Sequence, residues 1–255
     1  MRCLVSTVFS LCLLGLILHA DDKSSGAKTR IVFVLGEKEY GTLENVPKFF
    51  EDLLEPEGYT ATFIVAQPED EVRNDFSHLA EALEDADLAF ISARRRAPEK
   101  EDIQALKNHV AAGKPLVAIR TSSHAFHLKG QPAPVGHDVW EEFDPEILGG
   151  NYNGHYREEL ATITVEKGAE SHPLLKGIGE LPKSNKLYRV KPLADSTTLL
   201  LNGKIEGHEI EPVAWTNEAG DNAAKIFYTS LGQRSDFESA EFCQFLKQAI
   251  EWALD

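Results

Sequence analysis

The sequence predicts a three-layer α/β/α sandwich, doubly wound around a mainly parallel sheet, with antiparallel additions in its second half. Three observations predict it. Apolar, β-branched runs alternate with helically spaced segments over the first half of the chain. Three of those runs end abruptly in polar groups. Beyond residue 150 the pattern changes to short alternating strands punctuated by Gly and Pro.

Residues 30–35, RIVFVL, form the unbroken apolar run that a strand buried on both faces requires. Gly36 follows, then Glu37-Lys38-Glu39-Tyr40-Gly41. Residues 45–54 place Val46, Phe49, Phe50, Leu53 and Leu54 at helical spacing, and Pro47 fits the first turn. Residues 60–66 are the second strand and 76–83 a short helix. Residues 87–92, DLAFIS, are the third strand and run straight into Arg94-Arg95-Arg96. Pro98 opens a helix through residue 112, with Ile103, Leu106 and Val110 as its inner stripe and Gly113 as its stop. Residues 115–119 are the fourth strand, which breaks into Arg120-Thr121-Ser122-Ser123-His124. Residues 126–150 carry Pro132, Pro134, Gly136, Gly149 and Gly150 and fold over the strand ends. Residues 159–166 alternate as an antiparallel strand would, and 187–190, 197–202, 211–216 and 225–230 are further short strands. Residues 239–254 close the chain as an amphipathic helix. No repeat and no second boundary shows, so residues 30–255 read as one α/β domain.

The first 20 residues have the order of a secretory signal: Met1-Arg2, an apolar run from Cys3 to Leu18, then His19-Ala20 ahead of Asp21-Asp22. Residues 21–29 read as a tether. The chain is expected to be exported, periplasmic or secreted, with an uncleaved N-terminal anchor as the lesser reading. Cys243 is the one thiol outside the signal, so an internal disulfide is excluded there. Its spacing with Phe242, Phe245 and Leu246 makes it a small buried hydrophobe. The net charge of −15 argues against nucleic acid and, beyond the export signal, against membrane as partners. The charge is uneven. Residues 67–87 carry eight acids and one Arg, whereas residues 94–130 carry eight Lys or Arg against three acids. A positive spot near the strand ends suits an anionic or strongly polar small ligand.

In an open parallel sheet the carboxyl ends of the strands converge on one edge, and chemistry sits there. His124 is the leading acid/base candidate, because an imidazole titrates near neutrality. Arg120 and an acid, Glu37 or Glu39, would assist it. Arg94 and Arg95 present planar paired donors for a carboxylate, a phosphate or sugar hydroxyls. The bland alternative pairs these arginines with Glu37 and Glu39 at the neighbouring strand end. Thr121 and Ser123 offer hydroxyls, and His155 stands in a glycine-flanked turn. Tyr40, Tyr156, Tyr152 and Trp140 have the faces that stack on pyranose rings. No cofactor is predicted. A divalent metal on His124, His127 and His155 is the alternative, since three imidazoles suit zinc. No Gly-x-Ser-x-Gly is present to make Ser122 or Ser123 a nucleophile.

Several segments together resemble the ThuA-like (trehalose-utilisation) family. They are Gly113-Lys114-Pro115-Leu116-Val117-Ala118-Ile119-Arg120-Thr121 with Ser123-His124-Ala125-Phe126; Gly149-Gly150 with Gly154-His155; His172-Pro173 leading to Gly177-Ile178; Lys186-Leu187-Tyr188; Pro212-Val213-Ala214-Trp215; Phe227-Tyr228-Thr229-Ser230-Leu231-Gly232; and Trp252-Ala253-Leu254. The resemblance implies a flavodoxin-like sheet of the class I glutamine amidotransferase type. It implies carbohydrate metabolism, with a disaccharide or an oxidised (keto) sugar as substrate. It does not imply glutamine hydrolysis, because Arg120 and Thr121 stand where the amidotransferases carry their Cys. The family often has His where this chain has Gln233, placed here among the substrate-binding residues, and where it has Glu211.

Two readings follow. In the first the chain is an exported sugar-processing enzyme, a lyase, hydrolase or isomerase, centred on His124. In the second it is a non-catalytic carbohydrate-binding or scaffold protein. The partner in both is a small-molecule carbohydrate, and a homo-oligomer is left open.

Overall fold

β1 (Arg30–Gly36) is buried along its length after the first residue, and it organises the sheet. The computed structural model describes residues 28–66, 76–157 and 160–255. The expected signal, most of the tether, the acidic loop around Glu69 to Glu71, and Glu159 lie outside the described residues. From β1 the chain passes through α1 (Thr42–Leu53) to β2 (Thr60–Val65), then through α2 (Leu79–Glu84) to β3 (Leu88–Ala93). α3 (Lys100–Ala111) leads to β4 (Leu116–Ile119). The second half supplies β5 (Thr162–Val165), β6 (Thr198–Lys204), β7 (Glu211–Ala219), β8 (Ala224–Thr229) and the closing helix α4 (Ala240–Leu254).

The eight strands form one sheet in the order β2-β1-β3-β4-β8-β7-β6-β5. β2, β1, β3, β4 and β8 are parallel neighbours, whereas β7, β6 and β5 are added antiparallel. The predicted class, α/β with antiparallel strands in the second half, is the class observed. β1 has β2 on one side and β3 on the other, so the winding reverses there. Such a reversal opens a crevice at the carboxyl ends of the strands.

Alternate residues of β1 feed two cores, as the period of two demands. Ile31, Phe33 and Leu35 pack with Val46, Phe49 and Phe50 of α1 and with Phe242, Phe245 and Leu246 of α4. Val32 and Val34 pack with Leu79 and Leu83 of α2 and with Ile103, Leu106 and Val110 of α3. Phe33 meets Phe90 and Phe63 at ring-centre distances of 5.1 and 5.0 Å. Full burial of one such side chain stabilises the fold by about 1.5–3 kcal/mol.

Two expectations are corrected. α1 begins at Thr42, so Pro47 lies inside the helix and not in its first turn. The early start has a cause five residues upstream. The Glu37 carboxylate accepts the N–H groups of Tyr40 and Thr42 and the Thr42 hydroxyl, satisfying donors that a helix start leaves open. Residues 187–190 are not a strand of the sheet. They run beside the 151–156 loop, where Tyr188 makes one antiparallel bridge with His155.

Candidate functional site

The ends of β3 and β4 are tied together by backbone and hydroxyl contacts. After β4 the chain turns into a short 3-10 helix, Arg120–His124. The Thr121 hydroxyl donates to the Ala93 carbonyl at 2.9 Å, and the Ser122 hydroxyl shares its proton between the carbonyls of Ile119 (2.7 Å) and Ile91 (2.8 Å). Arg95 N–H donates to the His124 carbonyl at 3.0 Å. Arg95 and Arg120 both adopt φ of +51°, a left-handed conformation that a non-glycine residue holds only where its surroundings enforce it. The expected convergence of strand ends is present.

A cavity of about 630 Å³ opens at this edge, lined by Arg95, Ser123, His124, Asp144, Tyr152 and His155, among others. His124 is only 6% exposed. Its ring stacks on Tyr152 at 4.3 Å and 19°, and its Nδ1 lies 3.2 Å from Ser123 Oγ. Burial, and then the charges of Arg95 and Arg94, hold its pKa well below the ordinary histidine value. The imidazole is therefore neutral at physiological pH, the form in which it accepts a proton. The Tyr152 hydroxyl lies 3.2 Å from His155 Nδ1. Burial, Lys186 and Arg157 lower the His155 pKa as well.

Asp144 is the site residue that the sequence reading missed. It sits on a π-helical turn, Phe143–Leu148, in the segment that folds over the strand ends. Its Oδ2 accepts the Tyr152 N–H at 2.6 Å, while Oδ1 is buried with no partner. Burial pushes its carboxyl up to about 7, although the Tyr152 N–H opposes that shift. Gly150 makes the arrangement sterically feasible, because a Cβ there would sit 2.7 Å from Asp144 Oδ1 and 3.0 Å from the Trp215 ring. The pair Gly149-Gly150 was visible in the sequence. What it makes room for was not.

Other predicted residues stand away from this cavity. Arg120 is 1% exposed, with its guanidinium between the rings of Tyr40 (4.4 Å) and Tyr188 (4.9 Å). It donates to the carbonyls of Ser230 (2.7 Å) and Asn185 (3.2 Å), and its Nε has no partner. Burial opposes its charge, but Tyr188, Tyr40 and Asp236 outweigh this and hold its pKa above the ordinary value. Arg120 is thus held by carbonyls and aromatic faces, not by Glu37 or Glu39. Glu37 is occupied at the start of α1. Glu39 lies outside, 2.5 Å from Lys186 Nζ and 3.6 Å from Arg94 Nε. Burial opposes its charge, yet those two cations keep its carboxyl below the ordinary value. The expected acid–guanidinium pairing is realised only between Glu39 and Arg94. Thr121 is buried against β3, and Tyr156 lies against His208 with ring centres 4.3 Å apart and planes tilted by 41°. Gln233 is buried beside Asp236. Trp140 packs with Phe143.

His124, His127 and His155 of the alternative metal set line the same cavity, each with Nδ1 turned to a neighbour. His127 Nδ1 accepts the Lys129 N–H, His124 Nδ1 faces Ser123 and His155 Nδ1 faces Tyr152. Among the described residues, no three His, Cys, Asp or Glu side chains gather as metal ligands. Burial, with Asp52 adding to it, raises the Cys243 thiol to about 11, which disfavours the thiolate. Glu211, where the family often has His, is buried and accepts the Val190 N–H at 3.3 Å. That bond supports the chain beside the 151–156 loop.

Fold and site together define an α/β protein with a polar, histidine-bearing cavity at the carboxyl ends of a parallel sheet. The chain belongs to the ThuA family, described as trehalose utilisation, whose model matches residues 30–253. That membership supports a role in carbohydrate utilisation. A ThuA-like protein from Parabacteroides merdae has a similar structure, with a TM-score of 0.64, 16% identity, and 89% of this chain and 90% of that one covered. The N-terminal domain of mmIFT52 is also similar, with a TM-score of 0.55, 13% identity and coverage of 88% and 97%. At these identities the likeness is one of fold. No curated protein matches the chain.

Proposed function

We propose that the chain is an exported enzyme of carbohydrate utilisation, acting on a disaccharide or an oxidised (keto) sugar by proton transfer centred on His124. The observation that carries this reading is His124 itself: a neutral imidazole, stacked on Tyr152, lining a cavity of about 630 Å³. A neutral imidazole removes a proton from the carbon next to a ketone. On a 3-keto glycoside that carbon is C2. Its electron pair then forms the C1–C2 double bond and expels the C1 oxygen, which takes up a proton. Asp144 lines the same cavity, and with a carboxyl pushed up to about 7 it is a fitting donor for that oxygen. His155 and Tyr152 position the sugar. Arg120 and Tyr40 act from behind by holding the turn that carries His124.

The test is turnover and binding across a panel of glucosides and their 3-keto forms. His124→Ala is expected to lower turnover by about 10²–10⁴-fold while the ligand stays bound. A wild-type chain that binds members of the panel and turns over none would instead establish the non-catalytic carbohydrate-binding reading. Arg120, where an amidotransferase would need a thiolate, is the feature that favours that second reading.

A further inference from the structure

Four cationic side chains reach the His124 cavity: Arg95, Lys129, Arg157 and Arg189. Two carboxyls stand against them, Glu141 and Asp144, and Asp144 is only partly ionised near neutrality. This local excess of cations lies in a chain with a net charge of −15. Arg157 is followed in the chain by two acids, Glu158 and Glu159, so the excess of cations rests on the other three.

The remaining three have unused donors. Arg95 Nη1 donates to the His127 carbonyl at 3.0 Å, while its Nε and Nη2 have no acceptor among the described residues. Arg189 Nη2 donates to the Asn153 carbonyl at 3.0 Å, and its other N–H groups have no acceptor among the described residues. Gly154 gives Arg189 its place: a Cβ there would lie 2.6 Å from Nη2, and φ is +130°. Among the described residues, no carboxylate lies within 4.0 Å of Arg95, Arg189 or Lys129. Arg94, one position from Arg95, does pair with Glu39. Half-burial of an arginine without an acid is unfavourable, and for Arg95 burial and Arg94 both press against the charge while Tyr152 favours it.

We propose that the ligand of this cavity is a sugar bearing an anionic group, a carboxylate or a phosphate, held by Arg95 and Arg189 with Lys129 adding attraction. The inference rests on the carbohydrate reading above and narrows its substrate class. A guanidinium offers parallel donors that match either group, and two of them at one cavity select for charge as well as shape. Lys129, an exposed point charge, contributes a term that salt screens.

Calorimetric titration of the full chain tests it, with glucose, glucuronate, glucose 6-phosphate, acetate and inorganic phosphate as probes. At least one anionic sugar is expected to bind roughly tenfold or more tightly than glucose, with an advantage that shrinks as salt rises. The preferred sugar, glucuronate or glucose 6-phosphate, tells carboxylate from phosphate. Arg95→Gln and Arg189→Gln are each expected to remove most of that advantage, lowering anionic-sugar binding far more than glucose binding. Arg189 is exposed, so its variant keeps the test decisive if Arg95→Gln fails to fold. Glucose binding as tightly as both anionic sugars, with neither variant altering the pattern, overturns the inference and leaves the carbohydrate reading intact. Acetate or phosphate binding as tightly as the anionic sugars overturns the carbohydrate reading, and with it the sugar. Binding of none of the five probes overturns the inference.

Discussion

Asp144 and His124 are pulled in opposite directions from their ordinary ionisation by one physical cause. Burial penalises the charged form, so it raises a carboxyl and lowers an imidazole. The consequence for rate has a definite sign. If Asp144 donates and His124 accepts, activity needs a protonated carboxyl and a neutral imidazole together. Turnover of a keto-sugar substrate is then expected to fall as pH rises through about 7, and Asp144→Asn to lack that fall as well as most of the rate. A wild-type profile flat from pH 6 to 8 would remove Asp144 from the chemistry. The consequence for stability also has a sign. The folded-state pKa lies above the unfolded one, so Asp144 costs nothing at pH 3 and increasingly destabilises the fold between about 4 and 7. The stability of Asp144→Asn relative to wild type should therefore grow across that window and level off above it. The upper bound is about 4 kcal/mol for a shift of this size. Denaturant melts of both proteins at pH 4, 6 and 8 measure the difference.

Short elements hold these side chains, and each is set by a few contacts. The Arg120–His124 turn is pinned to β3 by the Thr121 and Ser122 hydroxyls, and the Tyr228 hydroxyl donates to the Arg120 carbonyl at 2.7 Å. At the start of α1, Glu37 serves three donors while buried. Glu37→Ala is expected to cost about 2–3 kcal/mol in denaturant melts, because it strands buried donors. Glu39→Ala, which breaks only part-exposed ion pairs, should stay below about 1 kcal/mol. Equal losses in the two variants would refute the capping role. The π-helical turn that carries Asp144 depends on Gly150. Gly150→Ala is expected to displace the carboxyl, with a loss of about 1–3 kcal/mol and a shifted alkaline limb in the pH profile. An unchanged limb would show that the turn tolerates the methyl group.

At the scale of the whole molecule, Cys243 is half-buried where a buried side chain was expected, yet packing beneath α4 still disfavours its thiolate. Its thiol donates to the Phe237 carbonyl at 3.4 Å and is pushed up to about 11. The native chain should react with iodoacetamide at pH 8 far more slowly than the unfolded chain, and mass spectrometry of the alkylated protein reads the ratio. The alternation of apolar runs with helical spacing was enough to place β1 to β4 and the helices between them, because burial on both faces leaves its period in the residues. It also placed Arg95, Ser123 and His124 at one edge, since the carboxyl ends of parallel strands converge whatever the loops do; His155 was singled out separately, by its glycine-flanked turn. In the sequence Arg120 and Glu37 were catalytic candidates and Gln233 a substrate-binding one. Only packing shows that the first is clamped between Tyr40 and Tyr188, the second spent on α1 and the third turned to Asp236. Asp144, in the stretch FDPEIL, belongs to no motif the sequence offers. It became a buried carboxyl when Gly150 and Trp215 closed around it. The succession of strands and helices and the polar residue types at the strand ends were therefore written locally, in periodicity and residue type. Ionisation and access were decided in three dimensions, because both depend on which groups distant in the chain exclude water from the same atom.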